Sequence, residues 1–439
     1  MPEALPPTAA PPGIPAARRL ASLLRLPALL LREPECLPGV CLRRAPSAMA
    51  ALGARLDRSR RPPAATAAEA FAALAFDLET LARIQENNSW PYFHAATQLA
   101  LLRELAMRAY GLSGEEVLHL ISRGSRNVAL AIESACRALT DRIRAQPDLA
   151  RRFAQAPSPE SLQALLSPPL QEELERFLAA WGARSRHRTL PAPRWAEAPA
   201  EVLGILQALV RTPPSPGRKA PGDLRARSAP PLLRRLARRV TRFLDLREEL
   251  RFLLDRALFR IRMDLQALGR DPGLTEEVFD LHFAELEDLV CGRLPRAEAL
   301  QRAEKRRRRF ETPWEPSTYW IEGRPEYALP PERSTLRGIG ASPGTATGRA
   351  VHVFHPAQAA LRRGDILIAR HTDPGWTPLL GVVAGVVTEE GGLLNHCAIV
   401  AREPGIPAVV GVRGVSRLIP EGSRVTVDGG SGTGVLMPE

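Results

Sequence analysis

Lysine and aromatic residues are both scarce in this 439-residue chain. Lysine occurs only as Lys219 and Lys305, although Lys and Arg together number 60 and the formal net charge is +12. Aromatic residues make up 5% of the sequence, which leaves few flat side chains to stack on nucleic-acid bases. The arginines that supply the charge are spread along helical patterns beside Glu and Asp. A nucleic-acid-binding protein therefore remains an alternative that only the net charge suggests. Because the other features do not support it, we expect no nucleic-acid partner.

Cysteine and long apolar runs are scarce as well. The five cysteines are scattered without Cys-x-x-Cys spacing, so they support neither a zinc site nor a disulfide framework and suit a reducing compartment. No apolar run approaches the roughly eighteen residues of a membrane span, and residues 20–31 are interrupted by Arg25 and Pro27. We therefore expect a cytoplasmic protein with no metal site and no membrane contact. The arginine-rich first fifty residues would also suit a mitochondrial transit peptide.

Amphipathic helical patterns fill the middle of the chain. Residues 1–65 are rich in Pro, Ala and Arg and are predicted to form a partly disordered leader. In residues 66–310 apolar side chains recur at every third and fourth position, which predicts an all-helical domain. Its helices are predicted over residues 67–85, 92–110, 117–121, 127–145, 158–166, 170–181, 232–268 with a break near Asp245, 275–288 and 295–309.

Two polar segments within this region are candidates for binding a small molecule. Residues 85–94 lie between the first two predicted helices and contain Asn87, Trp90 and His94. They could line a pocket, or they could form a loop with a helix cap and an aromatic plug. The second segment is a basic loop over residues 182–188 and 193–195, where Arg184 could meet a phosphate. The alternative for this loop is an exposed linker.

The last part of the chain has a different pattern. Residues 311–335 are rich in Pro, Glu and Trp without periodicity, which predicts a linker. Fully extended, such a segment spans up to roughly 80 Å. In residues 336–439 short apolar segments alternate with turns and predict a compact α/β domain. Its strands are predicted at residues 350–354, 366–369, 384–387, 408–410 and 424–427.

A single histidine stands at the start of a predicted helix in this domain. Gly391 and Gly392 follow a buried strand and allow a tight turn, and residues 394–402 have helical spacing. A helix start offers free backbone N–H groups and the positive end of the helix dipole, which favour a bound phosphate. An imidazole whose other nitrogen is held by a hydrogen bond can act as a nucleophile. We therefore predict that His396 carries a phosphoryl group, with Asn395 or a backbone carbonyl holding its ring. The alternative is a histidine that only caps the helix or fills space.

The segment around His396 also resembles a known signature. Residues 391–411 are similar to the phosphohistidine (swivelling) domain of the phosphoenolpyruvate-utilising enzymes, which include phosphoenolpyruvate synthase, pyruvate phosphate dikinase, rifampicin phosphotransferase and enzyme I of the sugar phosphotransferase system. Further similar segments are residues 336–344, 348–350, 364–367, 372–378 and 425–429. The resemblance implies that His396 is phosphorylated and carries the group between two distant active sites. It implies that the phosphate is supported by Gly391, Gly392, Asn395 and Arg402.

The sequence departs from this signature beside the histidine. Leu394 and Asn395 stand where members of the family usually carry Thr or Ser, and Cys397 stands where Ala or Ser is common. Leu394 has precedent among the synthase-like members, whereas Asn395 could alter how the ring or the phosphate is held. Because the histidine itself is kept, we expect the domain to be active.

The helical region resembles, more weakly, the central domain of the synthase-like and rifampicin-phosphotransferase-like members. The similarity lies in residues 182–195, 247–251 and 256–269. In rifampicin phosphotransferase the corresponding domain binds the acceptor. The resemblance therefore implies that the acceptor contacts this region, with candidate residues Asn87, Trp90, His94 and Arg184.

In this family an ATP-grasp domain phosphorylates the histidine, and the sequence shows no Gly-rich loop with a following lysine that would hold ATP. The resemblance implies that the chain itself binds no cofactor and that ATP and Mg²⁺ are held by a separate ATP-grasp subunit. We predict a phosphotransferase subunit that passes a phosphoryl group from this partner to a small-molecule or pyruvate-like acceptor. The alternative is a non-catalytic remnant or a phosphorylation-responsive regulatory protein of the same family.

Overall fold

The computed structural model gives the fold of most of the chain from residue 38 onward. The residues that it describes are 38–58, 67–121, 128–185, 189–211, 229–270, 273–311, 319–321, 324–326, 336–353, 361–372, 376–393, 395–402, 404–430 and 434–438. Among them, the helices of the first region are α1 (Pro38–Arg58), α2 (Ala67–Tyr110), α3 (Gly114–Ile121), α4 (Val128–Arg144), α5 (Pro147–Gln155), α6 (Pro159–Leu162), α7 (Pro168–Trp181), α8 (Pro199–Arg211), α9 (Pro231–Arg270), α10 (Phe283–Val290) and α11 (Arg296–Glu311).

Two long helices, α2 with 44 residues and α9 with 40, form the centre of this region. They run antiparallel, because Asp77 near the start of α2 lies 3.7 Å from Arg260 near the end of α9. Farther along, the ring of His94 lies 5.0 Å from that of Phe243. The apolar sides of α1, α2, α3 and α9 enclose one continuous core.

The predicted loop over residues 85–94 is wrong, since α2 is a single helix from Ala67 to Tyr110. Pro91 lies inside it, although proline lacks the backbone N–H that a helix interior uses. Pro91 and His94 are both buried, so tertiary packing of this segment outweighs the local signal. The break expected near Asp245 is also wrong, because α9 continues through this buried residue.

Two other predicted helices are divided in the structure. Residues 275–288 form a 3₁₀ turn at Glu277–Asp280 and then α10, which starts anew at the capping box of His282 and Glu285. Residues 158–166 form the short α6 and a 3₁₀ turn at Gln163–Leu165. The remaining predicted helices are present, with ends that differ by a few residues.

Helix α1 belongs to the fold, although its residues fall in the predicted leader. Its buried side chains Cys41, Met49, Leu52 and Leu56 join the core of α2 and α9. Arg55 also donates a hydrogen bond to the Thr80 hydroxyl at 2.6 Å. The disorder expected for the first fifteen residues falls outside the described residues.

The last region is a closed barrel of seven strands, with short helices in the connections between strands. The strands are β3 (Leu336–Ser342), β4 (Thr345–His352), β5 (Ile366–Ala369), β6 (Gly385–Thr388), β7 (Ala408–Val410), β8 (Arg424–Asp428) and β9 (Gly434–Pro438). Their order around the barrel is β3-β7-β6-β5-β4-β8-β9, and β3 closes it by pairing with β9. Strands β4, β5, β6 and β7 pair in parallel, and the other pairs are antiparallel. The helices of the barrel region are α12 (Thr377–Leu380), α13 (His396–Arg402) and α14 (Val415–Leu418).

The predicted fold class, a mainly helical region followed by a compact α/β domain, is confirmed. Strands β3 and β9 were not predicted as strands. The segment predicted as a linker contains a short hairpin, in which β1 (Tyr319–Ile321) pairs with β2 (Arg324–Glu326). None of the described helices has the length and apolar character that crossing a membrane requires.

We expect Leu56→Ala to destabilise the full chain, because Leu56 is 2% exposed within the core that α1 shares with α2 and α9. Truncating such a leucine typically costs about 2–5 kcal/mol. Chemical denaturation followed by circular dichroism measures the change. The control is Arg43→Ala on an exposed position of α1, for which we expect a change within about 0.5 kcal/mol. Equal stability of the two variants would show that α1 does not contribute to the core.

Candidate functional site

The turn before α13 has a backbone shape that depends on glycine. Gly391 has a φ of +131°, and a Cβ atom there would lie 1.9 Å from Nδ2 of Asn395. A side chain at this position would meet both backbone strain and a steric clash. Gly392 has open space around it. Gly391 therefore lets the Asn395 side chain fold back over the turn. Leu394, between them, lies outside the described residues.

Asn395 caps α13. Its Oδ1 accepts a hydrogen bond from the Ala398 backbone N–H at 2.8 Å, and its carbonyl accepts one from Ile399 at 3.1 Å. This is the usual arrangement of a helix N-cap, in which the side chain satisfies a free N–H of the first turn. The side-chain oxygen of Asn395 is thus hydrogen-bonded to the backbone of α13. Because the Asn395 side chain also lies against Gly391, it fixes the point at which the helix begins with His396.

The His396 ring contacts Thr372, which follows strand β5. The Thr372 hydroxyl lies 3.4 Å from Nδ1 of His396, which is long for a hydrogen bond. Both side chains are buried, with exposures of 8% for Thr372 and 2% for His396. Sequence reasoning did not identify Thr372, because it lies 24 positions before the histidine and only the barrel brings β5 beside α13. The signal was present in residues 372–378, which resemble a segment of the family.

The face of α13 that carries His396 is turned toward the helical region. Ile399 lies three residues after His396, so the two side chains share one side of the helix. Ile399 is buried in the core built by α1, α2, α3 and α9, and Leu393 packs against the same core. His396 is therefore covered where the barrel meets the helices.

Arg402 ties the far end of α13 to the rest of the site. Its Nε donates to the Ala341 carbonyl of β3 at 2.6 Å, and its Nη2 donates to the Leu393 carbonyl at 2.5 Å. Burial lowers the pKa of Arg402 to about 9, with Cys397 opposing the change, so the guanidinium remains protonated at pH 7. Arg402 thus links the strand, the turn before the histidine and the end of the helix.

Cys397 is fully buried next to the histidine. Burial raises the pKa of its thiol to about 12, and a hydrogen bond with Thr372 acts in the opposite direction. The thiol is therefore protonated at neutral pH and a poor nucleophile. Thr372 lies between the two side chains and connects Cys397 with His396.

The candidate acceptor residues are separated in the structure. Trp90 and His94 stack at 5.9 Å, and His94 is buried against Phe243 of α9. Arg184 contacts Asp255, twelve residues farther along α9 than Phe243, which corresponds to roughly 18 Å along the helix. The side chain of Asn87 lies outside the described residues. Trp90 and His94 therefore come together as part of the helical packing, and Arg184 belongs to a different place.

Arg184 forms a buried ion pair rather than an exposed contact. Its side chain is 1% exposed, it pairs with the equally buried Asp255, and its guanidinium lies 4.9 Å from the centre of the Phe252 ring. Arg194 and Trp195 of the same connection are also buried. The alternative that this loop is an exposed linker is wrong at these positions, because the three side chains are buried. A buried charged residue requires a partner, which Asp255 provides for Arg184. Across the described residues, no three His, Cys, Asp or Glu side chains are placed to hold a metal ion.

We expect Asn395→Ala to loosen α13, because it removes the side chain that caps the Ala398 N–H. Loss of such a cap typically costs about 1 kcal/mol, which corresponds to roughly fivefold faster opening. Hydrogen exchange of the amides in residues 398–402 measures this effect. Asn395→Ser is the matched control, since a serine can cap the same helix and should keep exchange near the native rate. Equal exchange in the Ala variant and the native protein would contradict the capping role.

Comparisons with known proteins match both regions of the chain. Residues 361–432 match the mobile domain of phosphoenolpyruvate-utilising enzymes. Residues 88–264 match the fourth domain of rifampicin phosphotransferase. The first match includes Thr372, His396 and Arg402, and the second includes the second half of α2 and most of α9.

Individual relatives agree with these matches. A rifampicin phosphotransferase from Streptomyces sviceus is 30% identical over 343 residues, which cover 70% of this chain and 39% of the relative. A phosphoenolpyruvate synthase from Aeropyrum pernix is 42% identical over 128 residues, which cover 28% of this chain and 16% of the relative. The chain thus spans well under half the length of these relatives. The chain thus combines a helical region similar to the fourth domain of rifampicin phosphotransferase with a mobile domain of phosphoenolpyruvate-utilising enzymes. It is a member of the phosphoenolpyruvate-utilising enzyme family.

Proposed function

We propose that His396 accepts a phosphoryl group from an ATP-dependent partner and passes it to an acceptor bound at the helical region. The observation that carries this proposal is the contact between Thr372 and Nδ1 of His396, in a segment that matches the mobile domain of the family. Relatives named rifampicin phosphotransferase and phosphoenolpyruvate synthase support phosphoryl transfer as the reaction class.

The geometry favours Nε2 of His396 as the reacting nitrogen. When Nδ1 carries the proton and donates it to the Thr372 hydroxyl, Nε2 is the unprotonated nitrogen and can act as the nucleophile. In the first step Nε2 forms a bond to phosphorus, and the bond between that phosphorus and the leaving oxygen breaks. In the second step an acceptor oxygen replaces Nε2 on the phosphorus, and the proton of the acceptor passes to a base or to solvent. Thr372 holds the tautomer that both steps need.

The residues around His396 act mainly through the backbone in this proposal. Gly391 and Asn395 set the position of the first turn of α13, and Arg402 holds the preceding turn through the Leu393 carbonyl. Gly392 leaves open space beside that turn. We infer that these four residues support the phosphate by fixing the loop that carries the histidine.

We infer that the donor site, with ATP and Mg²⁺, lies on a separate ATP-grasp subunit. The acceptor side is the helical region, because the His396 face of α13 is turned toward α1, α2, α3 and α9. The acceptor is a small molecule or a pyruvate-like compound. Of the acceptor candidates, Trp90 is only partly buried, whereas His94 lies in the helical core and Arg184 is already paired with Asp255.

His396→Ala is expected to abolish phosphorylation of the chain, because it removes the nitrogen that would hold the phosphoryl group. The native protein and the variant are incubated with γ-labelled ATP, Mg²⁺ and a cleared lysate of the source cells, and protein-bound label is tested for acid lability and stability in alkali. His371→Ala is the matched control, since His371 is a nearby exposed histidine, and it should keep its label.

The outcome of this labelling also separates the two functions considered for the chain. Label on the native protein that moves to a small molecule supports a transferase. Label that stays on His396 and changes binding to a partner supports a regulatory protein. If a known phosphohistidine protein is labelled in the same lysate and the native chain is not, the proposed phosphorylation is wrong.

Thr372→Val should slow phosphorylation of His396 without abolishing it, because the isosteric methyl group cannot accept the Nδ1 proton. Loss of one hydrogen bond is worth about 1 kcal/mol, or roughly a fivefold change in rate. The initial labelling rate measures this. Thr372→Ser keeps the hydroxyl and should restore the native rate. Equal rates for the Val and Ser variants would exclude a positioning role for Thr372.

A further inference from the structure

The second half of α2 carries a row of apolar side chains on its outer side. They recur at intervals of three, four or seven residues, so they share one face of the helix. We call this row the apolar stripe, and it consists of Tyr92, Ala96, Ala100, Met107 and Tyr110. Tyr92, Met107 and Tyr110 are 53%, 45% and 42% exposed. Ala100 is exposed as well, and Ala96 is half-buried. The stripe is roughly 27 Å long.

An apolar surface of this length is unusual on the outside of a soluble protein. Phe93 is 52% exposed and lies beside the stripe, which it widens. Arg103 stands in the same row and is half-buried, so it adds a charge without dividing the apolar surface into small pieces. Contiguous apolar patches mark surfaces that another part of a protein covers. The stripe therefore has the character of a docking surface.

Helix α1 runs antiparallel to α2 and begins within the length of the stripe. Near the end of α1, Arg55 donates a hydrogen bond to Thr80. Near its beginning, Cys41 is buried in the core that contains α2 from Ile84 onward. A parallel α1 would place Cys41 beside the first turns of α2, where Ala70 belongs to a separate core. At 1.5 Å per residue, the first turn of α1 thus lies beside the middle of the second half of α2.

The chain that leads into α1 is rich in leucine. Residues 20–31 contain seven leucines, and they lie outside the described residues. Residues 32–37 connect this segment to Pro38, the first residue of α1. Such a connection spans up to roughly 20 Å when it is extended, whereas a helix with its side chains is roughly 10–12 Å across. The segment can therefore reach the stripe from the start of α1.

We propose that residues 20–31 pack on the apolar stripe of the same chain. Burial of the leucines and of the stripe removes apolar surface from water on both sides of the contact. A tethered segment has an effective concentration in the millimolar range, which favours it over a second copy of the chain or a separate protein at micromolar concentration. The contact involves no phosphoryl transfer and does not depend on the proposed function.

Two methionines allow a direct test on the full chain. Met107 of the stripe is 45% exposed and Met263 of α9 is 38% exposed, so an uncovered stripe would give them similar rates of oxidation by hydroxyl radicals. We expect Met107 to be oxidised about tenfold more slowly than Met263 in the native protein, which corresponds to a covered state favoured by about tenfold. Peptide mass spectrometry measures both rates. Met49, which is 7% exposed in the core, reports on loss of α1 packing.

Variants on both sides of the contact identify the occupant. Leu23→Ser combined with Leu30→Ser should raise the Met107 rate to about that of Met263, because it removes apolar surface from the segment. Ala100→Asp should have the same effect, because it places a charge within the stripe. Ser22→Ala is the matched control, since it keeps every leucine of the segment and should leave Met107 protected. The rates of Met263 and Met49 should stay unchanged in all variants.

Several results would overturn the proposal. Equal rates for Met107 and Met263 in the native protein would show that nothing in the chain covers the stripe. Protection of Met107 that disappears on dilution would identify a second copy as the occupant. Protection that persists in the Leu23→Ser, Leu30→Ser variant would assign the cover to another part of the chain. Faster oxidation of Met49 together with Met107 would show that the variant releases α1 and not a cover on the stripe.

Discussion

One apolar core joins the barrel to the helices, and the state of the candidate site depends on it. The core includes side chains of α4 and α8 together with residues 379, 380, 382 and 383 of the barrel. Because this burial fixes the barrel against α4, it also fixes the direction in which α13 faces. Ile399 then enters the second core, and His396 on the same side of the helix becomes covered. Burial of the histidine therefore goes together with the packing of its helix and of the barrel against the helical region.

The internal geometry of the site has a different origin. Gly391, Asn395, Thr372 and Arg402 make the contacts described for them within the barrel region, with Ala341, Leu393 and Ala398 as partners. None of these contacts uses a residue of α1 to α11. In the proposed transfer, these contacts would hold the ring in the same way at the donor and at the acceptor.

Much of this arrangement could be predicted from the sequence, and the misses have identifiable causes. The alternation of short apolar segments and turns predicted β5, β6, β7 and β8 because these strands carry strong local patterns. Residues 85–94 misled the prediction because polar residues and Pro91 indicate a loop, while contact with α9 makes them helical. Thr372 was missed because its contact with His396 is purely tertiary. Arg184 suggested a phosphate contact because its buried partner Asp255 is 71 residues away.

The many arginines have roles within the fold that lysine could not perform. Arg262 donates to the carboxylate of Glu197 and to the carbonyls of Leu190 and Pro191. Arg402 likewise donates to two carbonyls in different segments. A planar guanidinium can hold several acceptors at once, whereas an ammonium on a flexible stem is a single point of charge. Part of the net charge of +12 therefore holds segments of the chain together, so the total charge by itself does not indicate a polyanionic partner.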